Sequence, residues 1–223
     1  MNTRITRLTF PALRLPTRDA HKLRGYFGRA FREHSALLHN HLEDGSLRYG
    51  YPLVQYKVVD GVPTIVGLGE GAELLIGLFR EIREIKIAGR TLRADDKELR
   101  VDRVRAAFRS DDLLRYAFTT LYMPFSAEVY QRYKVLESDV ERTAFIKKSL
   151  QGHLLMAFKG LDIRLQPSER IMVSPALSAT TTLFKNQRML AYRGEFTTNV
   201  ELPDLIGVGR STSRGFGTIQ RLS

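Results

Sequence analysis

The sequence predicts an α+β fold made of two tandem βαββαβ units closed by a glycine-rich loop, and three observations lead there. Strand and helix patterns succeed one another as β-α-β-β-α-β through the first half and recur in part through the second. Asp60-Gly61 separates two apolar-rich segments of similar length, the strongest hairpin signal in the chain. The 223 residues, 43% apolar and 26% charged, suffice for a packed core, either in one large domain or in two small ones.

Each element has its own warrant. Alternation from Arg4 to Leu15 predicts a first strand, and Pro16, Thr17 and Asp19 signal a helix start. The helix then runs from Thr17 to Glu33, with Leu23, Phe27, Ala30 and Phe31 on one side and Arg18, Lys22, Arg29 and Arg32 on the other. Tyr51 to Val59 and Val62 to Leu68 flank the Asp60-Gly61 turn as two antiparallel strands. Ala72 to Phe79 reads as a short helix, and Ile82, Ile85 and Ile87 lead the last strand of this half, ahead of the charged stretch Arg90 to Arg105. That order is the split βαβ, ferredoxin-like (RRM-like) unit, here residues 1–105. In residues 106–223 a strand is expected from Leu113 to Met123, a helix start at Pro124 and Ser126, and an interrupted helical pattern to about Phe158. Ile171 to Phe184 and Arg188 to Val200 form a long hairpin turning near Lys185-Asn186, Pro203 to Ile206 a truncated second helix, and Phe216 to Leu222 the closing strand.

Charge narrows the function. The net charge of +11 suits a polyanionic partner, because phosphate contacts release condensed counterions. Residues 1–35 alone carry eight Lys or Arg against Asp19 and Glu33. The absence of cysteine excludes disulfides, thiolate catalysis and cysteine-based zinc sites. No apolar run approaches the ~20 residues that span a bilayer, and the N-terminus lacks a signal-peptide block, so a cytoplasmic protein without membrane contact is expected.

From Gly207 to Gly217 the chain reads GVGRSTSRGFG: four glycines, two arginines and three hydroxyl residues in eleven positions. Glycine permits positive φ and close approach of amides to a ligand, while arginine and hydroxyl groups bond phosphate oxygens, so the stretch is expected to clamp a nucleic-acid backbone. A Walker loop is excluded because five residues separate Gly209 from Gly215 and Phe216 stands where lysine would be. A Rossmann turn is excluded because only six residues follow Gly217.

These pieces together resemble the Cas6 endoribonucleases of CRISPR systems, members of the RAMP superfamily. The resemblance is strongest from Glu195 to Gly217, through Phe196-Thr197, Leu202-Pro203, Gly207-Val208-Gly209 and Arg214-Gly215-Phe216-Gly217. In the first half it rests on the basic helix ending near Phe31, the Leu38-His39-Asn40-His41 step and Tyr51-Pro52. It implies cleavage of precursor CRISPR RNA within repeats, with no metal or other cofactor, leaving a 2′,3′-cyclic phosphate and a 5′-hydroxyl. The implied partners are CRISPR repeat RNA and crRNA, with other Cas proteins or a homodimer as further assemblies.

The residues permit that chemistry. Imidazole near its ordinary pKa of ~6.5 serves as base or acid at neutral pH. His39 and His41 would lie on one side of an extended turn, about 6 to 7 Å apart at Cα. They are the expected acid–base pair, with base and acid not assigned, and Arg48 is expected to neutralise charge on the transition state. His34 is a weaker candidate, and His21 and His153 carry no role. The expected RNA contacts are Lys22, Arg29 and Arg32 on the first helix and Gly207, Gly209, Arg210, Ser211, Ser213, Arg214, Gly215 and Gly217 in the glycine stretch. Metal binding by His39 and His41 with Glu43 or Asp44 lacks a second ligand cluster. A non-catalytic RAMP-type RNA-binding subunit of a CRISPR effector complex, or an RNA-recognition domain with Arg214-Gly215-Phe216-Gly217 as the start of an RNP1-like strand, is the alternative.

Overall fold

The fold is that of a computed structural model, which describes residues 2–38, 50–184 and 187–223. The chain divides into two compact units, Met1–Arg105 with Thr212–Gly215, and Ala106–Ser211 with Phe216–Ser223.

In the first unit, β1 (Asn2–Thr9) leads through a 3-10 turn into α1 (Ala20–Ala30), and β2 (Val54–Val59) and β3 (Val62–Leu68) form a hairpin. Asp60 and Gly61 both take positive φ, 49° and 80°, as a tight two-residue hairpin turn requires. Then come α2 (Glu70–Leu78), β4 (Glu84–Ile87), β5 (Arg90–Arg93) and β6 (Glu98–Arg105). The main sheet has the order β2-β3-β1-β6 with every neighbour antiparallel, the ferredoxin-like arrangement. Leu8, Leu23, Phe27, Tyr56, Val58, Leu75 and Leu78 close the core between this sheet and the helices. Burying each such side chain stabilises the fold by roughly 1.5–3 kcal/mol before entropy is counted.

Two expectations are corrected here. β1 ends at Thr9, not Leu15, because a turn from Phe10 to Leu13 spans Pro11, which has no N–H to donate. The strand led by Ile85 and Ile87 is not the fourth of the sheet: Ala88 and Gly89, at φ 52° and 74°, fold β4 back onto β5 as a separate hairpin. The fourth strand is β6, from the charged stretch, which pairs with β1 over eight residues. Its charges belong to an edge, where they discourage pairing with foreign strands.

The second unit contains β7 (Ala107–Phe108), β8 (Leu114–Tyr122), α3 (Ala127–Lys134), α4 (Asp139–Gly160), β9 (Val173–Phe184), β10 (Gln187–Thr198), β11 (Val200–Glu201) and β12 (Ile219–Arg221). Its sheet order, β12-β8-β10-β9, repeats that of the first, again antiparallel throughout. Ser126 caps α3 by accepting from the Val129 amide at 3.2 Å. α4 restarts at Ser138, whose hydroxyl and the Glu141 carboxylate form a capping box. The expected second helix at Pro203 to Ile206 is absent among the described residues. Leu205 takes φ 66°, its amide donates to Ile219 O at 2.8 Å, and Ile206 O accepts from the Ile219 amide at 3.0 Å, so the segment lies along β12.

Candidate nucleic-acid interface

α1 is amphipathic because Leu23 and Phe27 recur at a spacing of four and are wholly buried. The Tyr26 hydroxyl donates to Glu84 O at 2.7 Å and fixes the helix to β4. Of the three cations expected to contact RNA, Arg29 and Arg32 are exposed at and just beyond the C-terminal end of the helix. Lys22 is partly buried, its ammonium 2.9 Å from the Asp19 carboxylate. A fourth cation, Arg24, stands on the flank between the apolar and basic sides and is half-buried.

The glycine stretch is divided between the units: Thr212–Gly215 belongs to the first, while residues 207–211 and 216–217 belong to the second. Thr212–Arg214 forms a 3-10 turn lying against α1 and β2. Gly215, at φ 92°, is held so close that a Cβ there would stand 2.6 Å from the Ala20 Cβ and 3.3 Å from Tyr56 O. Gly217 is tighter still, since its Cβ would meet Val208 O at 1.9 Å. The Gly217 amide donates to Leu121 O at 2.8 Å, the Gly215 amide to Thr212 O at 3.3 Å and the Arg210 amide to Met123 O at 2.9 Å. Those three amides are therefore engaged within the protein; among the side chains, Arg210 is exposed, and Ser211, Ser213 and Arg214 are partly so. Arg214-Gly215-Phe216-Gly217 lies in turns and not on a strand, so it does not form an RNP1-like sheet surface; the Phe216 ring instead packs edge-on against Phe184 at 5.2 Å.

His39, His41 and Arg48, the expected catalytic residues, lie outside the described residues, as do Glu43 and Asp44. What precedes them is defined. Leu38 is buried, and its carbonyl accepts from the Tyr56 hydroxyl at 3.3 Å. Burial drives the Tyr56 pKa far up, so the phenol stays protonated and keeps this bond, while the Arg24 charge pulls weakly the other way. His34 is exposed, with Nε2 3.3 Å from a Glu81 carboxylate oxygen. Among the described residues no group of three or more His, Asp or Glu is placed to hold a metal ion.

The same region has a marked electrostatic pattern. Arg24 is shifted down by burial and then by the charge of Arg214, and Arg214 is shifted down by burial. Both guanidiniums are partly desolvated, and both remain charged because arginine starts far above neutrality. Lys57 in β2 is wholly buried, which lowers its pKa to about 7. In the second unit, burial and the Arg210 charge lower His153 to about 4, and its Nδ1 lies 2.9 Å from the Tyr122 hydroxyl. His153 is accordingly neutral and packed. Arg24 and Lys57 were not among the residues the sequence singled out: Arg24 falls beside the apolar stripe, and Lys57 interrupts the strand VQYKVV, a signal that was there to read.

Two repeats of the 4-1-3-2 antiparallel sheet place the chain among proteins built from a pair of ferredoxin-like units. It belongs to the Cas6b family: the Cas6b N-terminal domain matches residues 1–105 and the Cas6b C-terminal domain residues 109–222. A crystal structure of Cas6b is 32% identical, with a TM-score of 0.91 and full coverage of both chains. A structure of the CRISPR RNA processing endoribonuclease Cas6b is 28% identical over 100% of both chains, with a TM-score of 0.79. Csf5, a type IV Cas6 crRNA endonuclease, shares the fold, with 16% identity over 100% of both chains and a TM-score of 0.54. An uncharacterised protein of Methanocaldococcus jannaschii is 24% identical over 145 residues, 65% of this chain and 97% of that one. No helix among the described residues is long and apolar enough to cross a membrane.

Proposed function

We propose that the chain binds precursor CRISPR RNA and cleaves it within its repeats without a metal, giving 2′,3′-cyclic phosphate and 5′-hydroxyl ends. The observation that carries this reading is the meeting of two distant parts of the sequence in one unit. Tyr56 holds the Leu38 carbonyl through its hydroxyl, and its own carbonyl abuts Gly215 of the glycine stretch. His39 follows Leu38 in the chain. This supports a reading in which the glycine stretch and the segment that follows Leu38 serve the same RNA.

In the reaction, one imidazole of the His39/His41 pair removes the proton from a ribose 2′-hydroxyl, and the oxygen bonds to the adjacent phosphorus. The P–O5′ bond breaks and the other imidazole gives its proton to the departing oxygen. The negative charge gathering on the phosphoryl oxygens is met by Arg48. Lys22, Arg29, Arg32, Arg210, Ser211, Ser213 and Arg214 bind the RNA backbone, with Gly207, Gly209, Gly215 and Gly217 shaping the turns that present them.

The test is cleavage of a labelled CRISPR repeat RNA from the genome that encodes the chain. Replacing His39 and His41 together by alanine is expected to abolish cutting and leave RNA affinity within a few-fold. A single 2′-deoxy nucleotide at the cut should have the same effect, since the nucleophile is gone. Cleavage is expected to survive excess EDTA. Loss of activity on chelation with recovery on adding metal would overturn the acid–base account, and binding without any cutting would make the chain an RNA-binding subunit.

A further inference from the structure

We propose that His153 is a positioning residue for RNA binding: through Tyr122 it fixes the surface on which Gly209 rests, and so the backbone from which Arg210 and Ser211 meet the RNA. The inference rests on the reading of the glycine stretch as an RNA contact, and every residue it uses lies in the second unit.

Both limbs of the glycine stretch are tied to the end of β8. The Arg210 amide donates to Met123 O at 2.9 Å, and the Gly217 amide donates to Leu121 O at 2.8 Å. Tyr122 stands between those two anchors. Gly209, at φ 113°, lies directly on its ring: a Cβ there would be 2.7 Å from Tyr122 Cε2 and 2.8 Å from Cδ2. A backbone seated that closely follows any shift of the ring.

The ring is held from two directions. It stacks on Phe118 with centroids 4.7 Å apart and planes at 15°, a contact that fixes the plane and lets the ring slide within it. The Tyr122 hydroxyl lies 2.9 Å from His153 Nδ1, and the imidazole plane stands at 82° to the ring. That bond is directional and stops the slide. The phenol donates and the imidazole accepts: burial keeps Tyr122 protonated, and burial and then the Arg210 charge keep His153 neutral.

Stability alone does not explain the pair. Replacing two buried, hydrogen-bonded groups by apolar ones of the same shape is close to neutral, and it avoids desolvating a hydroxyl and an imidazole. What an apolar pair lacks is a single fixed arrangement. The segment seated on the ring takes its placement from that arrangement. Arg210 is exposed there, and Ser211 takes φ 56°, a conformation that costs a non-glycine residue energy and persists where its neighbours hold it.

The test uses the full chain and the labelled repeat RNA with a 2′-deoxy nucleotide at the cut, so that binding is read without cleavage, and measures Kd across a salt series. Arg210→Gln is expected to weaken binding roughly tenfold and to lower the slope of log K against log salt by about one, as for one lost phosphate contact. Tyr122→Phe, which keeps the ring, and His153→Leu, which fills the space, should each weaken binding roughly three- to tenfold and lower the slope by at least about half as much. His153→Asn offers an amide oxygen close to the place of Nδ1 and should restore both quantities. Adding His153→Leu to Arg210→Gln should leave the slope where Arg210→Gln alone sets it. Loss of stability by itself does not move the slope of a chain that stays folded. Ile146→Ala, a core change about two turns earlier in α4, should therefore melt earlier and keep the wild-type slope. Thermal melts confirm folding, and Tyr122→Phe decides the matter if His153→Leu does not fold. A wild-type slope in Tyr122→Phe and His153→Leu beside a lowered one in Arg210→Gln would overturn the positioning role and leave the RNA contact standing. An unchanged affinity and slope in Arg210→Gln would remove the contact itself, and this inference with it.

Discussion

Lys57 gives the sharpest test of the electrostatics. It is wholly buried in β2 and its pKa falls from the ordinary 10.5 to about 7 through desolvation. Between those two values the unfolded chain carries a proton that the folded chain lacks, so stability rises with pH, by about 1.4 kcal/mol per pH unit. From pH 7.5 to 9.5 the gain from this one group is about 2.5 kcal/mol. Lys57→Met keeps the length and packing of the side chain and removes the proton, so the variant's stability curve should be flatter than the wild type's by that amount. The assay is urea unfolding of both proteins at half-unit steps across the window, comparing the difference between them so that groups common to both cancel. Because Lys57 is largely neutral above pH 7, the substitution should also leave the salt dependence of RNA binding unchanged. Parallel stability curves for the two proteins would mean that Lys57 keeps its charge when folded, and the burial argument would fail.

Three further outcomes are expected. Gly217→Ala forces a Cβ to within 1.9 Å of Val208 O at φ 63°, and should cost about 3 kcal/mol in urea unfolding, with RNA affinity falling too; an unchanged midpoint would refute the close packing. His153, lowered to about 4 by burial and then by Arg210, leaves the folded chain without a proton that the unfolded chain takes up below about 6.5. Stability should therefore fall by about 3 kcal/mol as pH drops through that window, an effect that His153→Gln removes, with the histidine's own titration followed by NMR. Arg29→Ala and Arg32→Ala should each reduce the slope of log K against log salt for RNA by about one, while substitution of Arg83, an exposed arginine outside the proposed contacts, should not.

What the sequence disclosed and what it hid follow from how local each signal is. Asp60-Gly61 was legible because the turn itself demands two residues at positive φ, and Ser126 because the capping hydroxyl lies three residues from the amide that it accepts from. β6 was hidden by its position. An edge strand tolerates charges on either face, so Glu98, Arg100 and Arg103 mask the alternation on which a strand is recognised. The absence of a helix at Pro203 to Ile206 depends on hydrogen bonds to β12, which no local pattern encodes.

The glycine stretch shows why composition and geometry must be read separately. An open cradle that offers bare amides to a phosphate and a tight turn that lets two backbones touch have the same glycine content. Here the turn wins at two positions: the Gly215 and Gly217 amides donate to protein carbonyls, and neither residue leaves room for a Cβ. Thr212–Gly215 lies against β2, the edge strand of its sheet, next to Tyr56 O and the Lys57 Cα. A turn packed on an edge strand is rigid, and a rigid turn fixes the backbone from which Arg214 projects. If affinity for RNA depended on free glycine amides, replacing Arg214 would be minor and any substitution at Gly215 severe for contact reasons alone. If the glycines serve placement, Arg214→Gln and Gly215→Ala should both slow cleavage, and adding Gly215→Ala to Arg214→Gln should cost little more, because the glycine then has no arginine left to aim.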